Sequence, residues 1–194
     1  SGPEYVVYNF DQVTPLGKVG DKMKKFPVPL VLWGPPGTGK TTTLVAAINE
    51  VLCRLPGAKL LATAPSNAAA DLICEKLSGL GVGRDRMFRL NGVLRNEAEV
   101  PAAVKPYTRR GQGGFDTFDI PPLEELRTYD VIVSTCTSAG YLASRSRLPG
   151  WFTHVFVDEA AQALEPEALI PVSVLEPGGL LVLAGDFKQL GPII

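Results

Sequence analysis

The sequence contains few of the residues that bind metals or form cross-links in small proteins. Three cysteines and one histidine occur among 194 residues. Cys53, Cys74 and Cys136 are widely spaced and include no CxxC pair, so the sequence indicates neither a disulfide framework nor a zinc site. This cysteine usage fits a reducing environment.

Long apolar runs and a strong net charge are also lacking. No apolar run is long enough to span a bilayer, and the amino terminus has neither the charged nor the apolar region of a secretory signal. We therefore expect a soluble, cytoplasmic protein with no membrane partner. The net charge of −1 gives the chain as a whole no attraction to nucleic-acid phosphates, so any nucleic-acid surface must be a local patch.

Size and composition predict one globular domain. A hydrophobic content of 45% in 194 residues supports one sizeable core but not two large domains. We expect a lead-in segment over residues 1–28, a domain over residues 29–194, and a monomer.

A glycine-rich stretch is the strongest motif in the sequence. Residues 34–41 read GPPGTGKT and match the phosphate-loop spacing GxxxxGK[ST] at every specified position. A strand-type apolar run precedes the loop at residues 30–33, and a helical pattern follows over residues 42–52, which is the required order. A glycine-proline turn that only resembles such a loop is the alternative.

The phosphate loop predicts a site for ATP and Mg²⁺. Lys40 supplies a positive charge for the β- and γ-phosphates, and the hydroxyl of Thr41 is placed to hold Mg²⁺. The residues predicted to contact the nucleotide are Gly34, Pro35, Pro36, Gly37, Thr38, Gly39, Lys40, Thr41 and Thr42.

Four further apolar runs, over residues 59–64, 130–135, 154–158 and 180–184, predict strands. With the helical patterns between them they predict an α/β fold that has a central, mainly parallel sheet flanked by helices. Ligands of such sheets gather where the strands end. Small or polar residues stand at the ends of two of these strands. Pro65, Ser66 and Asn67 follow the strand over residues 59–64, whereas Thr135 ends the strand over residues 130–135 and Cys136 and Ser138 follow it. Helix capping by Ser66 and Asn67 is the other interpretation, and the residues alone favour it.

An acidic pair ends the strand predicted over residues 154–158. Asp158 can hold the coordination shell of Mg²⁺, and Glu159 can polarise the water that attacks a phosphate. The alternative is an Asp-Glu pair that only begins a helix, but the upstream phosphate loop disfavours it. Gln189 follows the next strand, and its amide can contact the γ-phosphate or the attacking water. His154 is predicted to be structural.

Residues 79–128 predict an irregular insertion, because glycine and proline are frequent there and no helical period is sustained. Basic residues interleave with aromatic ones, a mixture that can grip a nucleic-acid single strand through charge and stacking. Acidic residues dilute this signal, so a surface excursion with a small core of its own stays an equal alternative. The basic residues are Arg84, Arg86, Arg89, Arg95, Lys105, Arg109 and Arg110.

Five segments together resemble motifs I, Ia, Ic, II and III of superfamily 1 helicases, in order and in spacing. They are GPPGTGKT at 34–41, APSNAAAD at 64–71, STCTSAG at 134–140, DEAAQ at 158–162 and GDFKQLGP at 185–192. The sequence is similar to the subclass B RNA helicases of the up-frameshift type. VKPY at 104–107 and FTHVFVDEAAQALEPEALIP at 152–171 resemble the Armitage and silencing-defective branch.

The resemblance implies a RecA-like domain, the first motor domain of an ATP-dependent 5′ to 3′ RNA helicase that couples ATP hydrolysis to movement along single-stranded RNA. It also implies RNA-silencing or messenger-decay proteins as partners and ribonucleoprotein granules as a location. The second RecA-like domain, with the arginines that complete catalysis, is not expected within these 194 residues, so we expect the isolated chain to be nearly inactive.

The resemblance also assigns roles to single residues. Gln12 would read adenine, Lys40, Asp158 and Glu159 would be catalytic, and Gln189 would couple the nucleotide to RNA. The RNA contacts would be Pro65, Ser66, Asn67, Thr135, Cys136 and Ser138. Two alternatives stay open at this point: a DNA-directed superfamily 1 helicase domain, and an ATP-binding interaction module that does not hydrolyse.

Overall fold

A six-stranded, all-parallel sheet forms the centre of the molecule, in the order β1-β6-β5-β2-β4-β3. The computed structural model describes residues 29–111, 117–145, 150–186 and 188. The strands are β1 (Leu30–Trp33), β2 (Leu60–Ala64), β3 (Met87–Leu90), β4 (Val131–Thr135), β5 (Phe152–Val157) and β6 (Leu175–Gly185). The predicted α/β fold with a parallel sheet is therefore confirmed.

Helices cover both faces of this sheet. They are α1 (Lys40–Arg54), α2 (Asn67–Gly79), α3 (Leu123–Leu126), α4 (Gly140–Arg145) and α5 (Glu165–Val172). Leu60 and Ala62 of β2 belong to the core cluster that includes α1 and α2, whereas Leu61 belongs to the cluster that includes α4. This alternation follows from the pleat of a strand, and it explains why β2 and β4 are buried on both faces.

The predicted insertion over residues 79–128 is wrong in one respect, because part of it belongs to the central sheet. Residues Met87–Leu90 form β3, which pairs in parallel with β4 at the sheet edge. The strand has only four residues, and Arg89 interrupts its apolar pattern, so periodicity did not reveal it. Arg89 is nevertheless fully buried, as is most of Arg95. Neither side chain is on the surface, so the basic mixture predicted there is smaller than its composition indicates.

The amino ends of the strands are held by ion pairs. Asp130, just before β4, accepts hydrogen bonds from Arg86 Nε at 2.7 Å and from Lys59 Nζ at 3.3 Å. His154 lies buried in β5 with its Nδ1 2.7 Å from the Thr153 hydroxyl, consistent with a structural role. Among the described residues, no helix has both the length and the apolar character needed to cross a membrane.

Candidate functional site

The phosphate loop joins β1 to α1 at the carboxyl end of the sheet. Gly37 and Gly39 have φ angles of 75° and 83°, in the left-handed region that side chains disfavour, which explains the glycines at these positions. Lys40 is the first residue of α1 and is buried. Its ammonium group donates to the backbone oxygens of Gly34 at 2.9 Å and Pro35 at 3.2 Å. The loop thus holds the cation over its own concave side.

The remaining residues predicted to contact the nucleotide have other partners or are exposed. Thr38 donates its hydroxyl to the Pro35 oxygen at 2.8 Å and so closes the turn. Pro36 and Gly37 are exposed at its tip. Thr42, one residue beyond the loop, accepts a hydrogen bond from Lys76 of α2 at 3.2 Å.

Thr41 and Asp158 meet across the sheet end. The Thr41 hydroxyl donates to Asp158 Oδ2 at 2.6 Å, although 117 residues separate the two in sequence. Asp158 is 1% exposed, and its other oxygen accepts from the Glu159 backbone N–H at 3.0 Å. Among the described residues, no Lys or Arg forms an ion pair with this carboxylate.

This pair fits Mg²⁺. No group of three or more His, Cys, Asp or Glu side chains that could hold a metal occurs in the described part of the chain. Mg²⁺ does not need such a cage, because it is usually bound by one or two protein oxygens together with phosphate oxygens and water. Thr41 and Asp158 offer one hydroxyl and one carboxylate beside the phosphate loop, which is that kind of partial shell.

Glu159 has the least ordinary backbone of the site. Its φ angle of 50° lies in the left-handed region, where non-glycine residues are uncommon. Burial raises the pKa of its carboxyl group, the negative charge of Asp158 raises it further, and Lys40 opposes the shift. Gln162 donates to Glu159 Oε2 at 3.2 Å. A carboxylate with a raised pKa, held close to a cation, can accept a proton from water.

Asp186 is a third carboxylate of the site, and the sequence analysis assigned it no role. It follows β6, which lies between β1 and β5, and it is 5% exposed. Its Oδ1 accepts from the Trp33 indole N–H at 3.3 Å, and its charge adds to the raised pKa of Glu159. Its position as an acidic residue directly after a predicted strand is the sequence feature that could have identified Asp186. Gln12 and Gln189 lie outside the described residues, so their assignments stay predictions.

The six residues predicted to contact RNA divide into two groups. Ser66 and Asn67 are exposed at the start of α2, where the Ser66 hydroxyl accepts from the Ala69 N–H at 3.1 Å. This is the helix-capping bond that the alternative interpretation predicted for Ser66. Pro65 precedes them and is half-buried.

The segment after β4 is less accessible. The Thr135 hydroxyl donates to Ser138 Oγ at 2.8 Å, and both side chains are 8% exposed while lining a pocket of about 530 Å³ with Asn67. Cys136 is fully buried in the core, and burial raises its pKa to about 11. The predicted contact from the Cys136 side chain is therefore wrong, because the thiol points into the core cluster of β4 and α4.

A phosphate loop, its lysine and a facing acidic pair at the carboxyl end of a parallel sheet define a RecA-like P-loop domain. A family model described as an AAA domain matches residues 20–112 and 122–194. The chain belongs to this AAA domain family.

Named relatives agree with the resemblance seen in the motifs. The chain is 45% identical over 170 residues to mouse (Mus musculus) RNA helicase Mov10l1, covering 87% of this chain and 14% of that protein. It is 33% identical over 185 residues to the probable RNA helicase armi of Drosophila melanogaster, covering 86% of this chain and 15% of that protein. The similarity to the Armitage branch is therefore confirmed.

A solved structure, the helicase nonstructural protein 10 of an arterivirus in complex with DNA, matches with a TM-score of 0.47 and 22% identity over 85% of this chain and 30% of that one. The chain covers only a small part of the two RNA helicases named above, 14% of the length of mouse Mov10l1 and 15% of the length of armi.

Proposed function

We propose that this domain is the first motor domain of an ATP-dependent RNA helicase, which binds and hydrolyses ATP and couples hydrolysis to 5′ to 3′ movement along single-stranded RNA. One observation carries the nucleotide part. The Thr41 hydroxyl and the Asp158 carboxylate, 2.6 Å apart, join the phosphate loop to the acidic strand end. Lys40 and Glu159 flank this pair.

Each residue of the site then has a distinct task. Lys40 exchanges its two backbone acceptors for phosphate oxygens, which attract an ammonium group more strongly than neutral carbonyls do. Thr41 and Asp158 would hold Mg²⁺, which stabilises charge on the β- and γ-phosphates when bound. Glu159 orients the attacking water and accepts its proton, and Gln162 holds one carboxylate oxygen of Glu159.

RNA as the bound nucleic acid is supported by the names of the relatives and by the position of the loops that follow β2 and β4. Asn67, Thr135 and Ser138 line one pocket on the end of the sheet that also carries the phosphate loop. A DNA-directed helicase domain would use the same loops, because phosphate contacts do not read the sugar. Only contacts to the 2′-hydroxyl distinguish the two sugars, so tighter binding of an RNA than of a DNA single strand of the same sequence, at one salt concentration, would favour the RNA hypothesis. Partners in RNA silencing or messenger decay, and a cytoplasmic location, remain predictions.

The test of the nucleotide site is the Lys40→Ala variant in calorimetric titrations with ATP and Mg²⁺. Removing the ammonium group takes a charge-assisted bond from the phosphates, so we expect ATP affinity to fall by about tenfold or more. Lys59→Ala is the matched control, since Lys59 lies at the amino ends of the strands and contacts Asp130. Equal ATP affinity for Lys40→Ala and the unaltered chain would refute the proposed site. The isolated chain is expected to be nearly inactive, so hydrolysis is measured on a protein that also carries the second RecA-like domain. ATP binding without hydrolysis by that longer protein would favour an ATP-binding module.

A further inference from the structure

A buried cluster of two arginines and one aspartate joins α2 to β3 and to the segment that follows β3. Asp71 of α2 is 4% exposed, and its Oδ1 accepts from Arg89 Nε at 2.9 Å and from Arg95 Nη1 at 3.0 Å. Its Oδ2 accepts from Arg95 Nη2 at 2.5 Å. Two guanidinium groups therefore share one carboxylate, which leaves one positive charge unbalanced within the cluster.

Arg89 also fixes the orientation of Asn67. Its Nη2 donates to Asn67 Oδ1 at 3.1 Å, and a guanidinium group can only donate. The amide oxygen of Asn67 must therefore face Arg89, and the amide nitrogen lies on the other side of the planar group. Asn67 is exposed at the start of α2 and lines the pocket to which Ser138 also belongs. What Asn67 presents outward is a pair of N–H donors.

Arg95 lines the same pocket as Asn67. It closes a turn in which its backbone N–H donates to the Gly92 oxygen at 3.0 Å, and its Nη1 donates to Asn91 Oδ1 at 2.7 Å. Asn91 Nδ2 and Arg95 Nε are buried without an acceptor among the described residues. Donors thus outnumber acceptors around the cluster. Asp71 thus connects Arg95, which lines the pocket, with Arg89, which holds Asn67.

The charge of the cluster favours this pocket over its neighbour. None of the described residues that line the pocket of Asn67 and Ser138 is acidic. A second pocket of about 490 Å³ also contains Asn67 and Arg95, but it is lined by the carboxylates of Asp71, Glu75 and Glu99. An anion is therefore attracted to the first pocket and repelled from the second.

We propose that Arg89 is a positioning residue that turns the Asn67 amide so that its N–H donors meet a phosphate oxygen of single-stranded RNA. Phosphate oxygens accept hydrogen bonds and cannot donate them, so they match this side of the amide. A base edge such as that of adenine needs a donor and an acceptor from one amide, and Asn67 has already committed its oxygen. This inference rests on the proposed function and specifies how the same site selects the backbone.

The experiment measures binding of a fluorescent oligouridine to the chain by anisotropy at several salt concentrations. Arg89→Lys keeps the charge but cannot bind Asp71 and Asn67 together. We expect it to weaken RNA binding about tenfold in the starting chain and to have no further effect in an Asn67→Ala background. Arg86→Lys is the control, because Arg86 begins the same segment but pairs with Asp130 at the far end of the sheet. Thermal melting establishes that each variant is folded.

Asn67→Asp supplies a second measurement at an exposed position that does not depend on a buried change. The aspartate still accepts from Arg89 but presents a charged oxygen outward in place of donors, so it should bind RNA more weakly than Asn67→Ala. Equal losses for Arg89→Lys in both backgrounds, no loss in either, or normal binding by Asn67→Asp would overturn the positioning role alone. Absence of salt-dependent RNA binding by the unaltered chain would overturn the proposed function together with it.

Discussion

Two buried aspartates of this domain have opposite environments. Asp71 is 4% exposed and Asp158 is 1% exposed, so burial alone does not distinguish them. Asp71 receives three hydrogen bonds from two arginines. Asp158 receives one from the Thr41 hydroxyl and one from a backbone N–H.

The difference shows how a fold separates structural from chemical carboxylates. A buried charge that is fully paired holds its surroundings in one arrangement, and removing one partner leaves an uncompensated charge. A buried carboxylate with only neutral donors keeps its negative charge available, which suits it to an incoming cation. Three substitutions test this contrast, from the largest expected effect to the smallest.

The largest effect is expected for Asp71→Asn. The variant removes the negative charge that two buried guanidinium groups share, and an uncompensated buried charge typically costs about 3–5 kcal/mol of stability. Urea unfolding followed by circular dichroism measures the loss. Glu75→Gln is the matched control on the same helix, and it should change the free energy of unfolding by less than about 0.5 kcal/mol because Glu75 is half-buried. Similar losses for the two variants would show that Asp71 is not a structural centre.

Asp158→Asn is expected to have a smaller effect, which changes Mg²⁺-dependent ATP binding and does not lower stability. The free energy of unfolding should stay the same or rise, because no described cation loses its partner. ATP affinity should no longer increase when Mg²⁺ is added, a difference of about tenfold in the unaltered chain. Calorimetric titrations in Mg²⁺ and in EDTA measure both arms. A variant that keeps the Mg²⁺ effect would place the metal on other residues.

Much of this contrast could be predicted from the sequence. The phosphate-loop spacing and the acidic strand end identified Lys40, Thr41 and Asp158, because their chemistry is written in short contiguous motifs. The parallel sheet followed from apolar runs that alternate with helical patterns. Thr41 and Asp158 were both predicted to hold Mg²⁺, because strand ends of a parallel sheet share one edge, but the direct bond between them was not predicted.

The cluster around Asp71 could not be predicted in this way. Arg89 reads as a surface residue in a basic segment, and it is buried only because β3 brings it against α2, 18 residues away from Asp71 in sequence. A four-residue strand carries too little periodicity to be found, and a buried ion pair has no motif. Cys136 was misplaced for a different reason, since it directly follows β4 and the sequence does not show that its side chain turns inward.

The smallest effect is expected for Glu159, because the site disfavours the ionised form of its carboxyl group. Burial and the charge of Asp158 raise its pKa above the ordinary value of 4.5, so the folded chain binds this proton more tightly than the unfolded chain does. Stability from this group is therefore present in acid and is lost as the pH rises through the raised pKa. Glu159→Gln removes the charge, and we expect it to raise stability at neutral pH by less than about 1 kcal/mol, because Glu159 is half exposed and solvent screens the charge.

The pH dependence separates this explanation from a simple packing effect. The gain from Glu159→Gln should disappear below about pH 4, where the glutamate is protonated in both the folded and the unfolded chain. Glu167→Gln, which changes a half-buried glutamate of α5, is the matched control and should show no such pH-dependent gain. Unfolding midpoints in urea, measured from about pH 3 to about pH 8, give the comparison. A gain that is equal at every pH would mean that the amide improves packing and that Glu159 is not destabilised by charge. A loss at neutral pH would mean that its carboxylate supports the fold, as that of Asp71 does.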